Sequence, residues 1–140
     1  MILYAESSAV LTWLLDEPRG PEVNVHLRSA SVVVASRLTL AECHRALVRR
    51  VVQGAMTDLE AGDLRARLGE TMARWTLVEV DSVVLDRAGQ GFPVEPMRTL
   101  DAVHLATALG VSLLVPALRL LSLDRRVCDC ARALGFVVVP

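Results

Sequence analysis

Short apolar runs alternate along the chain with longer stretches in which apolar residues recur every three or four positions. The first pattern predicts strands inside a sheet, the second helices with one apolar face. Residues 1–5 (MILYA) read as a strand, and Ser7 or Ser8 is placed to cap a helix running to about Asp16, where DEPRGP turns the chain. A short helix near 21–28 precedes SVVVA (31–35), a continuous β-branched run of the kind buried on both faces of a parallel sheet. Ser36 then leads a long helix from about Arg37 to Gln53, with Leu40, Cys43, Leu47, Val48 and Val51 at helical spacing.

Gly54 ends that helix. Thr57 caps the next, with Glu60 three residues on as a capping box, and this helix extends to about Arg74. WTLVEV (75–80) is the third strand, Asp81 or Ser82 starts a helix to about Gly89, and GFPVEP breaks the pattern. RTLDAVHLATALG (98–110) reads as a helix, 118–123 as a fourth strand, 124–134 as a helix and FVVV (136–139) as a last strand. Strands alternating with helices predict an α/β fold whose mainly parallel sheet is covered on both faces. With 140 residues and no linker, repeat or low-complexity tract, the chain reads as a single domain over 1–140.

Composition adds limits. The hydrophobic share is 53% but aromatics are only 4%, so Val, Leu and Ala must build the core, as suits helices on a sheet. No apolar run approaches the roughly 20 residues that span a bilayer, and no charged n-region precedes an apolar stretch, so a cytosolic protein is expected. Cys43, Cys128 and Cys130 form neither a disulfide framework nor a zinc set and read as buried small hydrophobes. A net charge of −1 argues against bulk electrostatic binding of nucleic acid while leaving room for a local basic patch. All 15 basic residues are Arg.

Ligands of parallel α/β sheets gather at the carboxyl ends of strands. Glu6 ends the first strand and Asp124 follows the fourth, so both point to one edge. Glu42 lies less than two turns into the helix leaving the second strand, and Asp101 in the first turn of TLDAVHLATAL, each with apolar neighbours. Taken singly, Asp101 also suits a helix dipole and Asp124 an N-cap. Taken together, four carboxylates at one edge repel unless a cation lies among them. Oxygen-only ligands favour Mg2+ or Mn2+, ions that support in-line attack on a phosphodiester.

The chain resembles PIN-domain ribonucleases, in particular the VapC toxins of toxin-antitoxin pairs, over essentially its whole length. MILYAESSAV resembles the family's opening strand and acid, SRLTLAECHRAL the second acid's segment, RTLDAVHLATAL the third and LLSLDRRVCDCARALGF the fourth. The resemblance implies a Rossmann-like three-layer α/β/α sandwich in which Glu6, Glu42, Asp101 and Asp124 hold Mg2+ or Mn2+ and cleave RNA, leaving a 5'-phosphate and a 3'-hydroxyl. It implies supporting roles for the hydroxyls of Ser8 and Ser122, a homodimer, and a VapB-type antitoxin as partner. The family's first acid is usually Asp. Glu6 is longer by a methylene, and this departure supplies an alternative, a catalytically silent PIN fold that serves as a binding or assembly module.

Other residues invite chemistry less strongly. His104 shares a helix face with Asp101 and reads as a packed or supporting side chain, or else as a ligand or proton shuttle. Arg45, Arg125 and Arg126 follow the acids closely enough to meet RNA phosphates, with a solvated helix face as the plain reading of each. Trp13 reads as core, or as one wall of a groove for a partner segment. A phospho-acceptor receiver-like domain would also place acids at strand ends, but it needs a Lys near the site, and the chain has none.

Overall fold

The computed structural model describes residues 1–140. Its elements run β1 (Ile2–Ala5), α1 (Ser7–Leu14), α2 (Gly20–Ser29), β2 (Val32–Ser36), α3 (Arg37–Val52), α4 (Asp58–Met72), β3 (Thr76–Val78), α5 (Ser82–Ala88), α6 (Thr99–Ser112), β4 (Arg119–Leu121), α7 (Arg125–Ala133) and β5 (Val137–Val139). Every strand and helix expected from the hydrophobic pattern forms, in the expected order.

The five strands make one sheet in the order β3-β2-β1-β4-β5, with every ladder parallel. Parallel neighbours need crossover connections, and here each crossover carries helices. Those joining β1 to β2 and β2 to β3 contribute α1 to α4, which pack on one face; α5, α6 and α7 occupy the other. The result is a three-layer α/β/α sandwich. The two-residue period of a strand sorts side chains between the layers. Leu3, Ala5, Val33 and Leu121 enter the first core with Ala9, Val10, Cys43 and Leu68, whereas Tyr4, Val34 and Leu120 enter the second with Ala102, Leu105 and Val127.

Three local expectations are corrected. The N-cap of α1 is Glu6 rather than Ser7 or Ser8, because its longer side chain reaches forward to accept from Ser8 N at 3.1 Å. Only half of the capping box at α4 forms: Thr57 Oγ1 accepts from Glu60 N at 3.1 Å, and the Glu60 carboxylate makes no return bond. Helix α6 continues past Gly110 to Ser112. A lone helical glycine costs about 1 kcal/mol, too little to stop a helix whose residues 101–108 are all buried.

All three cysteines are free and buried, as expected of small core residues. Trp13 is half-buried against the first core, and the Arg67 guanidinium lies 4.3 Å from its ring centroid. No helix is long and apolar enough to cross a membrane.

Candidate active site

The strand order reverses direction between β1 and β4, and the helices that follow these neighbours leave toward opposite faces. Such a switch point opens a crevice at the carboxyl edge of the sheet. Glu6 is the residue after β1, and Asp124 lies just past β4.

Glu6 is buried, 4% exposed. Its Oε2 accepts from Ser8 N, from the Ser8 hydroxyl and, at 2.8 Å, from the Ser122 hydroxyl, while Oε1 receives none of these bonds. Ser8 Oγ in turn accepts from Leu123 N at 2.9 Å and Asp124 N at 3.1 Å. One hydroxyl therefore ties the end of β1 to the loop after β4. The two serines expected to support the first acid both touch it.

Asp124 uses its two oxygens differently. Oδ1 caps α7, accepting from Arg126 N at 2.9 Å and Val127 N at 3.1 Å. Oδ2 accepts from Arg98 Nη2 at 2.8 Å. The same guanidinium donates through Nε to Asp101 Oδ2 at 2.7 Å. These two carboxylates raise the affinity of Arg98 for its proton, the Asp101 hydrogen bond most of all.

Glu42 faces a third group. Ser7 Oγ donates to its Oε1 at 2.7 Å, and His104 Nε2 lies 2.6 Å from the same oxygen. Ser7 Oγ and His104 Nε2 are themselves 2.7 Å apart, and His104 Nδ1 is 3.0 Å from the Tyr4 hydroxyl. In the tautomer that satisfies these contacts together, Nε2–H donates to Glu42 and Nδ1 accepts from Tyr4. Burial alone would push the Glu42 carboxyl up; hydrogen bonds from His104 and Ser7, with the charge of Arg98, outweigh it and hold the group below its usual range. Burial, then the Glu6 and Glu42 charges, push the Tyr4 phenol far up, so it remains a donor.

The four acids expected from the sequence thus stand at one edge but in three hydrogen-bonded groups. Their oxygen-only chemistry suits Mg2+ or Mn2+. As the side chains stand, however, no three acidic, histidine or cysteine groups converge closely enough to hold an ion. Arg98 occupies the place between Asp101 and Asp124 where positive charge is needed.

Of the candidate RNA-binding arginines, Arg125 and Arg126 line an open cleft of about 450 Å³ together with Arg98, Asp124, Asp129 and Val94. Arg125 is almost fully exposed and only loosely paired with Asp129, at 3.9 Å. Arg45 is exposed on α3, three residues beyond Glu42, and does not line this cleft. Sequence reasoning missed Arg98, Ser7 and Tyr4. Arg98 carried a signal, since it lies three residues before Asp101; Tyr4 and Ser7 carried none, because their partners lie 100 and 35 residues away.

Residues 3–134 match the sequence model of the PIN domain. The chain belongs to the PIN-domain family. Among relatives of this PIN domain, ribonuclease VapC46 of Mycobacterium tuberculosis is 38% identical over 140 residues, covering 98% of this chain and 95% of the relative. Solved PIN-fold structures superpose along the full length at low identity and bear on the fold alone. Mycobacterium tuberculosis VapC20, a sarcin-ricin loop cleaving toxin, gives a TM-score of 0.70 at 19% identity and covers 99% of both chains. FitAcB from Neisseria gonorrhoeae gives 0.72 at 18% identity, covering 100% of this chain and 97% of its own.

Proposed function

We propose that this PIN domain is a VapC-like endoribonuclease, dependent on Mg2+ or Mn2+ and acting as the toxin of an antitoxin pair. The observation that carries the reading is the junction at the switch point, where Ser8 joins Glu6 to the backbone of Asp124 through hydrogen bonds. Two acids from separate strands are thereby fixed at the edge where such folds bind ligands. The relative named as a ribonuclease supports RNA as the substrate.

Glu6, Glu42, Asp101 and Asp124 are the residues that would hold the ion, which supplies an activated water and charge stabilisation at a phosphodiester. The protein's own contribution is positioning. Ser8 and Ser122 fix Glu6, Ser7 and His104 fix Glu42, and the α7 N-terminus fixes Asp124. Arg125 and Arg126 line the cleft beside Asp124 and would meet the negative backbone of the substrate; Arg45, one helical turn from Glu42, would meet it farther out. A VapB-type antitoxin, a homodimer and a cytoplasmic location complete the proposal. FitAB bound to IR36 DNA and Rickettsia felis VapBC2 bound to promoter DNA are neighbours of the same fold.

A second reading, a silent binding or assembly module, is favoured by one observation: Glu6 Oε2 is already saturated by three hydrogen bonds. Cleavage of a mixed RNA pool separates the two. The protein, freed of any antitoxin, is assayed with Mg2+, with Mn2+ and with chelator, beside Asp101→Asn and Glu6→Asp. Metal-dependent cutting that disappears in Asp101→Asn and persists or rises in Glu6→Asp supports the nuclease. Cutting by Glu6→Asp alone makes the silent module the better description.

A further inference from the structure

We propose that Arg98 is a built-in counter-cation, so that a divalent ion enters the site only by displacing its guanidinium from Asp101 and Asp124. This rests on the reading that the acids are a divalent-cation site, and it adds a competitor that the chain carries itself.

The argument begins at Asp124. Of its two oxygens, Oδ1 is committed to the backbone of Arg126 and Val127 at the start of α7. Only Oδ2 remains to face the crevice, and Arg98 Nη2 holds it at 2.8 Å. The fork of the same side chain holds Asp101 Oδ2 at 2.7 Å. A guanidinium and a metal ion compete for one carboxylate oxygen, since each brings full positive charge to the same place and the two cations repel.

The position of Arg98 makes it a partition as well. Its side chain lines the cleft shared with Asp124, Arg125 and Arg126, and also lines the neighbouring cleft shared with Glu42 and Asp101. With the guanidinium in place, Asp124 is separated from Glu42. Its withdrawal would remove the one side chain that lines both hollows.

Nothing in the fold prevents that withdrawal. The Arg98 side chain is 63% exposed, and although the residue is the N-cap of α6 its side chain makes no capping bond. It is held by the two aspartates alone among its side-chain hydrogen bonds. The guanidinium is solvent-accessible although the Asp101 and Asp124 side chains are only 12% and 26% exposed, so water screens the cation's side of each pair and a divalent ion with more charge and directed ligands can compete for the two carboxylates. The exchange also keeps the acids neutralised before the ion arrives.

The test is calorimetric titration of Mn2+ into the wild type, Arg98→Ala, Arg98→Lys and Asp101→Asn, with thermal unfolding of each protein in chelator and in Mn2+. Arg98→Ala should bind Mn2+ about tenfold more tightly. It should melt lower than the wild type in chelator and gain more on adding Mn2+, because ligand stabilisation grows with affinity. Arg98→Lys keeps the charge without the fork and should fall between. Equal or weaker Mn2+ binding by Arg98→Ala, with the wild type binding normally, overturns the counter-cation and leaves the metal site standing. Failure of Mn2+ to bind either protein removes the metal site and this proposal together. Circular dichroism establishes that each variant is folded.

Discussion

His104 Nε2 lies 2.6 Å from Glu42 Oε1, joining α6 to α3 beneath the carboxyl edge of the sheet. The imidazole is 1% exposed, and its other nitrogen meets the fully buried Tyr4. His104→Ala removes a core ring and leaves the Tyr4 hydroxyl without its imidazole acceptor. A loss of about 3 kcal/mol is expected. Tyr4→Phe, which deletes only the hydroxyl, should cost about 1 kcal/mol. Urea unfolding measures both, and equal small losses would show that the network carries little stability.

Glu42 gives the network a pH dependence. Its folded carboxyl titrates below its unfolded value, which lies near about 4.3. A group lowered in this way contributes stability that is fully present above the unfolded pKa and is lost as pH falls through the folded one. At neutral pH, therefore, Glu42→Gln should be less stable than the wild type, and the gap should close on acidification below about pH 4. A gap that stays constant from pH 7 to about pH 3 would place the stabilisation elsewhere.

Asp124 combines a backbone cap through Oδ1 with a second oxygen, Oδ2, that faces the crevice and Arg98, and two substitutions separate these duties. Asparagine is as good an N-cap as aspartate, whereas alanine is not. Asp124→Asn should stay within about 0.5 kcal/mol of the wild type, since the exposed pair with Arg98 is worth little. Asp124→Ala should lose about 1 kcal/mol. Both should abolish RNA cleavage; an Asp124→Asn protein that still cuts would remove Asp124 from the chemistry.

The cysteines provide a check on the core. Burial, and then the charges of Glu42 and Glu6, push the Cys43 thiol up to about 12, and burial raises Cys128 and Cys130 as well. The thiolate is the reactive form. At about pH 8 a thiol reagent should modify none of the three in the native protein and all of them in denaturant. Rapid native labelling of Cys43 would mean that the first core opens readily.

The fold was legible because each element is written in local pattern: β-branched runs for strands and helical spacing between them. The acids were legible for a related reason, since each was read at the carboxyl end of a strand or among apolar neighbours early in a helix. What could not be read is which side chains meet across the sheet. Ser7 and Ser8 look alike in sequence, yet helical geometry sends Ser7 to Glu42 and His104, and Ser8 to Glu6 and the backbone of Asp124. The grouping of the acids was equally hidden. Arg98 pairs with Asp101 at helical spacing, but its second partner is 26 residues away. Glu6 as a helix cap was missed because the usual caps, Ser7 and Ser8, stood beside it.

Because every strand is parallel, the two ends of the chain leave from opposite rims. The Met1 amine lies 3.4 Å from Ser31 Oγ, at the entry to β2, so a tag or fusion joined ahead of β1 hangs from the rim remote from the acids. Val139 is different: its carbonyl accepts from Ser122 N at 3.2 Å, and Ser122 is itself bonded to Glu6. A handle attached after Pro140 emerges on the acids' rim, one strand from the crevice.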